Sequence, residues 1–335
     1  MQQRPEWRLL AGLADPDRGP PPLDTLEPRA VGRVLVAARS HGVLPIVCRK
    51  LRASGFAATP LEGDARTLLE QFDRRVVNDV GQTMLLQHHG QRVMARFAEA
   101  GLAATIIKGP VFAERLYRNR ADRYFSDIDI LVEAGGMERA GAIMAESGFE
   151  LEGGLFDTSA RKQEFQWLLA GNRSVLIELH GNLVHYRALR HRVSLDYARL
   201  GGVSDIAAQS AVALLIIAIV HASCGHKFHR LLFLVDVLQA ARALSPRELP
   251  EFEMAARKLG IELEAATTLH ATASLFGDGK VMALASRFDR RLAPAIGRRL
   301  ITPEAIVDAS PKTTVPSRLR RHAFRWLQLS PLARL

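Results

Sequence analysis

Ser126-Asp127-Ile128-Asp129-Ile130-Leu131-Val132 alternates acid and isoleucine and then turns wholly apolar. In a β-strand successive side chains point to opposite faces. Asp127 and Asp129 therefore share one face, and Ile128 and Ile130 point toward a core. Two carboxylates this close repel unless something compensates them. A divalent cation does so, because hard cations such as Mg²⁺ take oxygen ligands. Taken alone, the spacing is also that of a solvated edge strand with two exposed acids.

The flanking sequence adds to this pair. Upstream, the apolar run Leu102–Ile107 meets Lys108-Gly109-Pro110, which reads as a buried strand ending in a turn. Pro110 suits the first position of a helix over Val111–Tyr117. A glycine at that turn lets backbone N–H groups approach a phosphate, and Lys108 would be a point charge beside it. Alone, Lys-Gly is an ordinary turn. A polar loop, Arg118–Ser126, leads into the acid pair. Downstream, Met137–Ser147 is helical and Phe149–Leu151 extended. Gln163–Leu169 and Ser174–His180 read as two strands joined by Gly171-Asn172-Arg173, a hairpin signal. In the second, Ile177 and Leu179 face one way and Leu176, Glu178 and His180 the other, so Glu178 is placed to be a third carboxylate.

A strand, a glycine turn and a helix, then Asp-x-Asp on a strand, then a lone acid on a later strand: this order resembles the nucleotidyltransferase superfamily of polymerase-β-like enzymes. It is closer still to a bacterial group of uncharacterised nucleotidyltransferases. The resembling text is IIKGPVFAERLY, then SDIDILV preceded by Arg123, then VLIELHGNL, and downstream LLIIAIVHASCGHKFHRLLFLVDVLQAAR. It spans roughly residues 101–242, with a weaker similarity around His41-Gly42-Val43-Leu44-Pro45. The resemblance implies that Asp127, Asp129 and Glu178 are catalytic and hold Mg²⁺, two ions about 3.5–4 Å apart, with Mn²⁺ possible. It implies a nucleoside triphosphate substrate, with Gly109 against the triphosphate and Glu178 orienting or deprotonating the acceptor hydroxyl. Pyrophosphate would be released. His221, Arg230 and Asp236 would support the site from the helical domain. Two departures stand out. Many superfamily members have Gly-Ser where this chain has Lys108-Gly109-Pro110, and Gly181 replaces the aromatic residue usual after Glu-Leu-His.

Working outward, Asp15–Pro28 is a loop after a short first helix. Helical spacing then runs from Val31 to Leu51 with a break near Gly42 and Pro45. A long helix over Asp64–Ala100 uses Leu68, Leu69, Phe72, Val76, Val77, Met84, Leu85, Val93, Met94 and Phe97, with Gly101 as its cap. After His185 the chain is helical, with candidates Val203–Ala222, Phe228–Ala243, Glu248–Leu259, Glu262–Leu275 and Val281–Arg299. The expected fold is α+β: a small mixed sheet between two helical regions. The expected divisions are 1–100, a core at 101–185, a helical domain at 186–310 and a basic tail at 311–335. The expected nucleotide cleft lies between core and C-terminal helices.

Composition is that of an ordinary folded protein, with a net charge of +10 and two cysteines, Cys48 and Cys224. Only seven basic residues are lysine and 38 are arginine. The charge favours anionic partners, with nucleic acid possible but not favoured. Absence of a cysteine framework and of an apolar leader points to a cytoplasmic protein without a transmembrane segment. Arg123, close to the acids, would make either a phosphate contact or a structural salt bridge. Lys227 and Arg230 reach phosphate or form a solvated helix face, and His180 is a further candidate for the nucleotide. His221, Cys224, His226 and His229 look like a metal cluster, but Gly225 interrupts the helix, so ordinary polar contacts are expected. His88-His89 reads as surface. The C-terminal segment, with Phe324 and Trp326 among arginines, reads as a docked amphipathic helix using Leu319, Ala323, Trp326 and Leu327, rather than a nucleic-acid or membrane arm. The acceptor (small molecule, peptide, protein or RNA), the base and the oligomeric state are not fixed by the sequence. A catalytically silent nucleotide- or partner-binding protein and an RNA-directed enzyme are the alternatives.

Overall fold

A computed structural model describes residues 5–20, 22, 27–56, 64–153, 163–288, 292–307 and 315–334. Pro311 and Lys312 of the basic tail lie outside them. The chain opens with helices α1 (Pro5–Ala14), α2 (Pro28–Ser40), α3 (Leu44–Ala53) and α4 (Asp64–Glu99). Glu27 caps α2 by accepting from the backbone N–H groups of Arg29 and Ala30. Gly42, at φ 74°, breaks the chain before α3, as the sequence suggested. Gly101, at φ 64°, ends α4, and the Leu102 N–H returns to Phe97 O at 2.9 Å, closing the helix end. Among the described residues of α4 the buried apolar side chains are Leu69, Phe72, Leu86, Val93 and Phe97, and the side chain of Leu68 lies outside that description. Val77 and Met84, expected in the apolar stripe, are each 67% exposed. Over a helix of 36 residues the face that meets the core drifts, and Leu86 takes the inward place.

The sheet comprises β1 (Ala104–Ile106), β2 (Ile128–Val132), β3 (Phe149–Leu151), β4 (Glu164–Leu169) and β5 (Asn172–His180), in the order β1-β2-β5-β4-β3. The β2–β5 pair is parallel and the other neighbours antiparallel. Helix α5 (Pro110–Arg115) follows β1, and α6 (Met137–Glu146) lies on the crossover from β2. One sheet face packs its isoleucines and Leu179 with Val93, Phe97 and Met144 in a common apolar cluster. Gly90 permits this: a Cβ there would stand 3.3 Å from the Ile128 side chain. Each such side chain, taken out of water, contributes about 1.5–3 kcal/mol.

The rest is helical: α7 (Arg187–Arg190), α8 (Tyr197–Gly201), α9 (Ala211–Val220), α10 (Leu231–Ala243), α11 (Glu248–Leu259), α12 (Glu262–Phe276), α13 (Gly279–Ser286), α14 (Leu292–Leu300), α15 (Pro303–Val307) and α16 (Val315–Leu329). The mixed sheet flanked by helices is the expected α+β fold. Three helix boundaries differ from the expectation. The helix expected from Val203 begins at Ala211, because Gln209 sits at φ 54° and Ser210 caps the first turn by accepting from Ala213 N. The helix expected from Phe228 begins at Leu231, since Lys227 and Phe228 have φ of 50° and 58°. Val281–Arg299 divides into α13 and α14.

The N-terminal and C-terminal helices share one hydrophobic core, in which Leu13, Val31 and Leu35 join Leu234, Leu238 and Leu269. His41 ties them together. Its Nδ1 accepts from Leu231 N at 3.2 Å, and its Nε2–H donates to Val307 O at 3.0 Å. Burial holds this imidazole neutral, its pKa lowered to about 4. Among the described residues no helix is long and apolar enough to cross a membrane.

Helix α16 is docked, but by only part of the expected face. Phe324 and Leu327 are buried, while Leu319 and Trp326 are 63% and 74% exposed. Polar contacts select this rotation: Arg325 donates to Cys224 O, and Gln328 Nε2 donates to Glu264 Oε1 at 2.8 Å. Gly297 of α14 packs closely beneath α16. A Cβ there would overlap Thr267 Oγ1 and reach 3.4 Å from the Phe324 ring. Gly297→Ala is therefore expected to lower stability by about 1–3 kcal/mol, read as a shifted urea midpoint at unchanged slope.

Candidate active site

The sheet register builds the site. Asp129 on β2 lies beside Glu178 on β5, and Glu178 lies opposite Gln166 on β4. Gln166 Nε2 donates to Glu178 Oε1 at 2.7 Å. Two residues along β5, His180 Nε2 stands 2.8 Å from Asp129 Oδ1 and 3.5 Å from Glu178 Oε2. Lys108, where β1 gives way to the glycine turn, places Nζ 2.9 Å from the same Asp129 oxygen. Asp129 is 1% exposed and Glu178 8%.

Lys108 also joins the sheet to the helical region, with Nζ 3.1 Å from His221 Nε2. His221 opens a single π-turn, His221–Gly225, at the end of α9, where His226 N–H bonds back to His221 O at 3.1 Å. Such turns redirect one side chain out of a regular helix. Burial, then the charge of Lys108, keeps His221 well below its ordinary pKa. Its Nε2 is thus free to accept from the ammonium. His226, His229 and Phe233 gather beside it, the His226 and Phe233 rings stacked with centroids 4.6 Å apart. Cys224 points away, toward Ser223 and Gln328. The four-ligand reading of this segment thus gives way to ring contacts.

The carboxylates differ in electrostatic state. Burial raises the pKa of Asp127, and Asp129 and Glu178 add to this, against Lys108, to about 6. Burial works against the Asp129 charge too, but Lys108 and His180 outweigh it and hold Asp129 below the carboxylate range. Burial opposes the charge on His180, yet its bonds to Asp129 and Glu178 raise it to about 9. Lys108 is likewise raised by Asp129 and Asp127 despite burial. Asp127 is the under-compensated acid. Ser126 Oγ lies 3.3 Å from its Oδ1.

A cleft of about 440 Å³ opens over these groups. Its floor holds Lys108, Gly109, Asp127 and Asp129, and one wall His221, His226, His229 and Arg230. The other wall comes from the N-terminal helices, with Arg39, Gly42, Pro45 and Arg75. Three parts of the chain therefore enclose it, where the sequence suggested two. Gly109 has φ 58°, and a Cβ there would lie 3.4 Å from Phe125 and 3.5 Å from Asp127 O, so both backbone and space favour glycine. A larger hollow, about 720 Å³, is lined by residues 201–207 and parts of α11 and holds no comparable cluster of titratable groups.

Of the residues singled out in the sequence, Lys108, Gly109, Arg123, Asp127, Asp129, His221 and Arg230 line the cleft. Arg123 does so while held by a buried bidentate pair with Asp236, at 2.7 and 2.9 Å, so the salt-bridge alternative is realised. Tyr117 Oη donates to the same carboxylate at 2.7 Å. His180 and Glu178 sit behind the lining, and Lys227 lies outside it. A family model matches residues 27–277. The chain belongs to the uncharacterised nucleotidyltransferase family. No curated protein and no solved structure matches it. In this nucleotidyltransferase the matched region takes in the sheet, α2, α4 and α10, and leaves α16 outside. Sequence reasoning missed Gln166, Tyr117, Arg39 and Arg75. Arg39 stands two residues before the His41-Gly42 similarity, which was the one available signal for that wall.

The carboxylate oxygens of the site suit a hard divalent ion. Ligand atoms of Asp129, Glu178 and His180 lie within 4.8 Å of one another, with the Asp127 carboxylate adding to the same electrostatic cluster. An ion that Asp127 helped to hold would require its carboxylate ionised. Mg²⁺ affinity is therefore expected to fall about tenfold per pH unit below roughly pH 6, and to be flat above about pH 7. Calorimetric titration across that range measures it.

Proposed function

We propose that this nucleotidyltransferase is Mg²⁺-dependent and moves a nucleoside monophosphate from a nucleoside triphosphate to a hydroxyl or phosphate acceptor, releasing pyrophosphate. The observation that carries this reading is the convergence of Asp129 and Glu178, in register on adjacent parallel strands, with Asp127 and Lys108 at the floor of a basic cleft. Asp127, Asp129 and Glu178 would hold the metal, which when bound polarises the phosphoryl oxygens and offsets the charge developing on them.

The chain's own groups supply the rest. The acceptor oxygen attacks the α-phosphorus, the bond to the pyrophosphate oxygen breaks, and the acceptor proton passes to a carboxylate of the site. Glu178, oriented by Gln166, is the carboxylate we assign to the acceptor side. Lys108, Arg230, Arg39 and Arg75 balance the triphosphate charge. Gly109 allows close approach of backbone to phosphate. The stacked His226–Phe233 pair offers a platform for the base.

Calorimetry with ATP, GTP, CTP and UTP, with and without Mg²⁺, tests the reading. Metal-dependent binding of at least one triphosphate, lost in the Asp127→Asn/Asp129→Asn double variant, is the expected result. Equal binding by parent and double variant would sink the assignment of the acids.

A further inference from the structure

We propose that Glu164, His180 and His185 form a second metal site, built for a zinc-type transition-metal ion, beside the carboxylate cluster. This goes beyond the proposed nucleotidyl transfer and does not rest on it. Glu164 is the direct cross-strand neighbour of His180, and His185 follows the end of β5. Ligand atoms of the three lie within 4.8 Å of one another. His185 Nδ1 bonds to Glu164 Oε2, and the His185 and His180 rings stand 5.2 Å apart, edge to face.

The second observation concerns His180 itself. It is 1% exposed, and its two ring nitrogens fare differently. Nε2 faces the carboxylates of Asp129 and Glu178, which only accept, so Nε2 carries the proton and donates. Nδ1 has no hydrogen-bond partner among the described residues. Buried polar atoms are nearly always paired, so an orphaned nitrogen on an imidazole grouped with a glutamate and a second histidine calls for a ligand. A metal that takes the place of the Nδ1 proton completes a recurrent arrangement, in which a ligating histidine donates its other N–H to a carboxylate. Two imidazoles and one carboxylate select zinc-type ions over Mg²⁺, which prefers oxygen.

The geometry is within reach. Ligand atoms about 2.0–2.2 Å from one zinc stand roughly 3.5 Å apart, so the group needs only a modest contraction. The side chains of His185 and Glu164 are 40% and 30% exposed, open to solvent for entry. Such an ion would fix the His180 ring, and through Nε2–H the orientation of Asp129 and Glu178. It is a positioning device behind the acids.

The test is Co²⁺ uptake by the full-length protein in excess Mg²⁺, so that oxygen-rich sites are already filled, read by visible d–d absorption and by metal analysis of the desalted protein. One equivalent is expected in the parent and in Asp127→Asn. His185→Ala and Glu164→Gln should each weaken binding by at least about 100-fold while keeping parental circular dichroism and melting behaviour. Absence of a Co²⁺ equivalent in the parent overturns the proposal. So does retention of parental affinity in His185→Ala, or loss in Asp127→Asn alone, which would put the ion among the catalytic acids. Nucleotide binding is measured separately and can survive any of these results.

Discussion

Asp127→Asn is expected to lower nucleotidyl transfer at least about 10³-fold and at the same time to stabilise the protein. The two effects share one cause. Asp127 is a half-buried acid in the repulsive field of Asp129 and Glu178, with its pKa raised to about 6 from an ordinary 3.8. Between those values the folded chain binds a proton that the unfolded chain does not. Folding is therefore favoured on the acid side of this window, and the ionised carboxylate opposes folding above about pH 6. Replacing it with a neutral amide should raise stability by about 1–2 kcal/mol at pH 8, and by nothing near pH 4. Asp129→Asn should cost as much activity but carry the opposite sign in stability. Its carboxylate is the shared partner of Lys108 and His180, and neutralising it takes from both cations their nearest counter-charge, at about 3–5 kcal/mol. Urea unfolding of both variants at pH 8, with pyrophosphate release measured alongside, separates these outcomes. Transfer at the parental rate in Asp127→Asn would falsify its assignment as a metal-holding acid. A destabilised Asp127→Asn would instead overturn the picture of mutual repulsion.

The second large effect belongs to a residue outside the sheet. Asp236→Ala is expected to cost about 3–5 kcal/mol and to leave little folded protein under mild denaturant. Asp236 is 1% exposed on α10 and receives two bonds from Arg123 and one from Tyr117. Truncation leaves a buried guanidinium and a buried phenol unpaired. Tyr117→Phe removes one bond and its polar partner together and should cost only about 1 kcal/mol. Because Arg123 belongs to the loop that leads into the acid strand, surviving Asp236→Asn protein should also bind Mg²⁺ more weakly than parent. Denaturant midpoints of the three variants, with Mg²⁺ titrations of those that fold, measure both. A small and equal loss in all three would show that the Arg123–Asp236 pair is not an anchor.

The alternation around Asp127, the Lys108-Gly109 turn, the hairpin at Gly171 and the cap at Gly101 were all open to reading, because each expresses a local rule. A strand has a period of two, and a positive φ favours glycine. The rotation of α16 was not open to reading. Leu319 and Trp326 look like its buried face, yet a buried arginine bonding to Cys224 O and a glutamine bonding to Glu264 turn them outward. Helical periodicity counts apolar residues and is blind to polar partners 64 and 101 positions away.

For the site, the sequence determined which residues carry charge and which strand faces they share: Asp127 with Asp129, and Glu178 with His180. Only the tertiary structure decided what they do to one another. The parallel register of β2 and β5 sets Asp129 beside Glu178. The π-turn brings His221 to Lys108 across 113 residues, and the N-terminal helices supply Arg39 and Arg75 to the far wall. Side-chain identity and local conformation are properties of neighbours along the chain. Ionisation, pairing and enclosure depend on the distances and burial that folding creates, and those come from contacts the sequence does not place side by side.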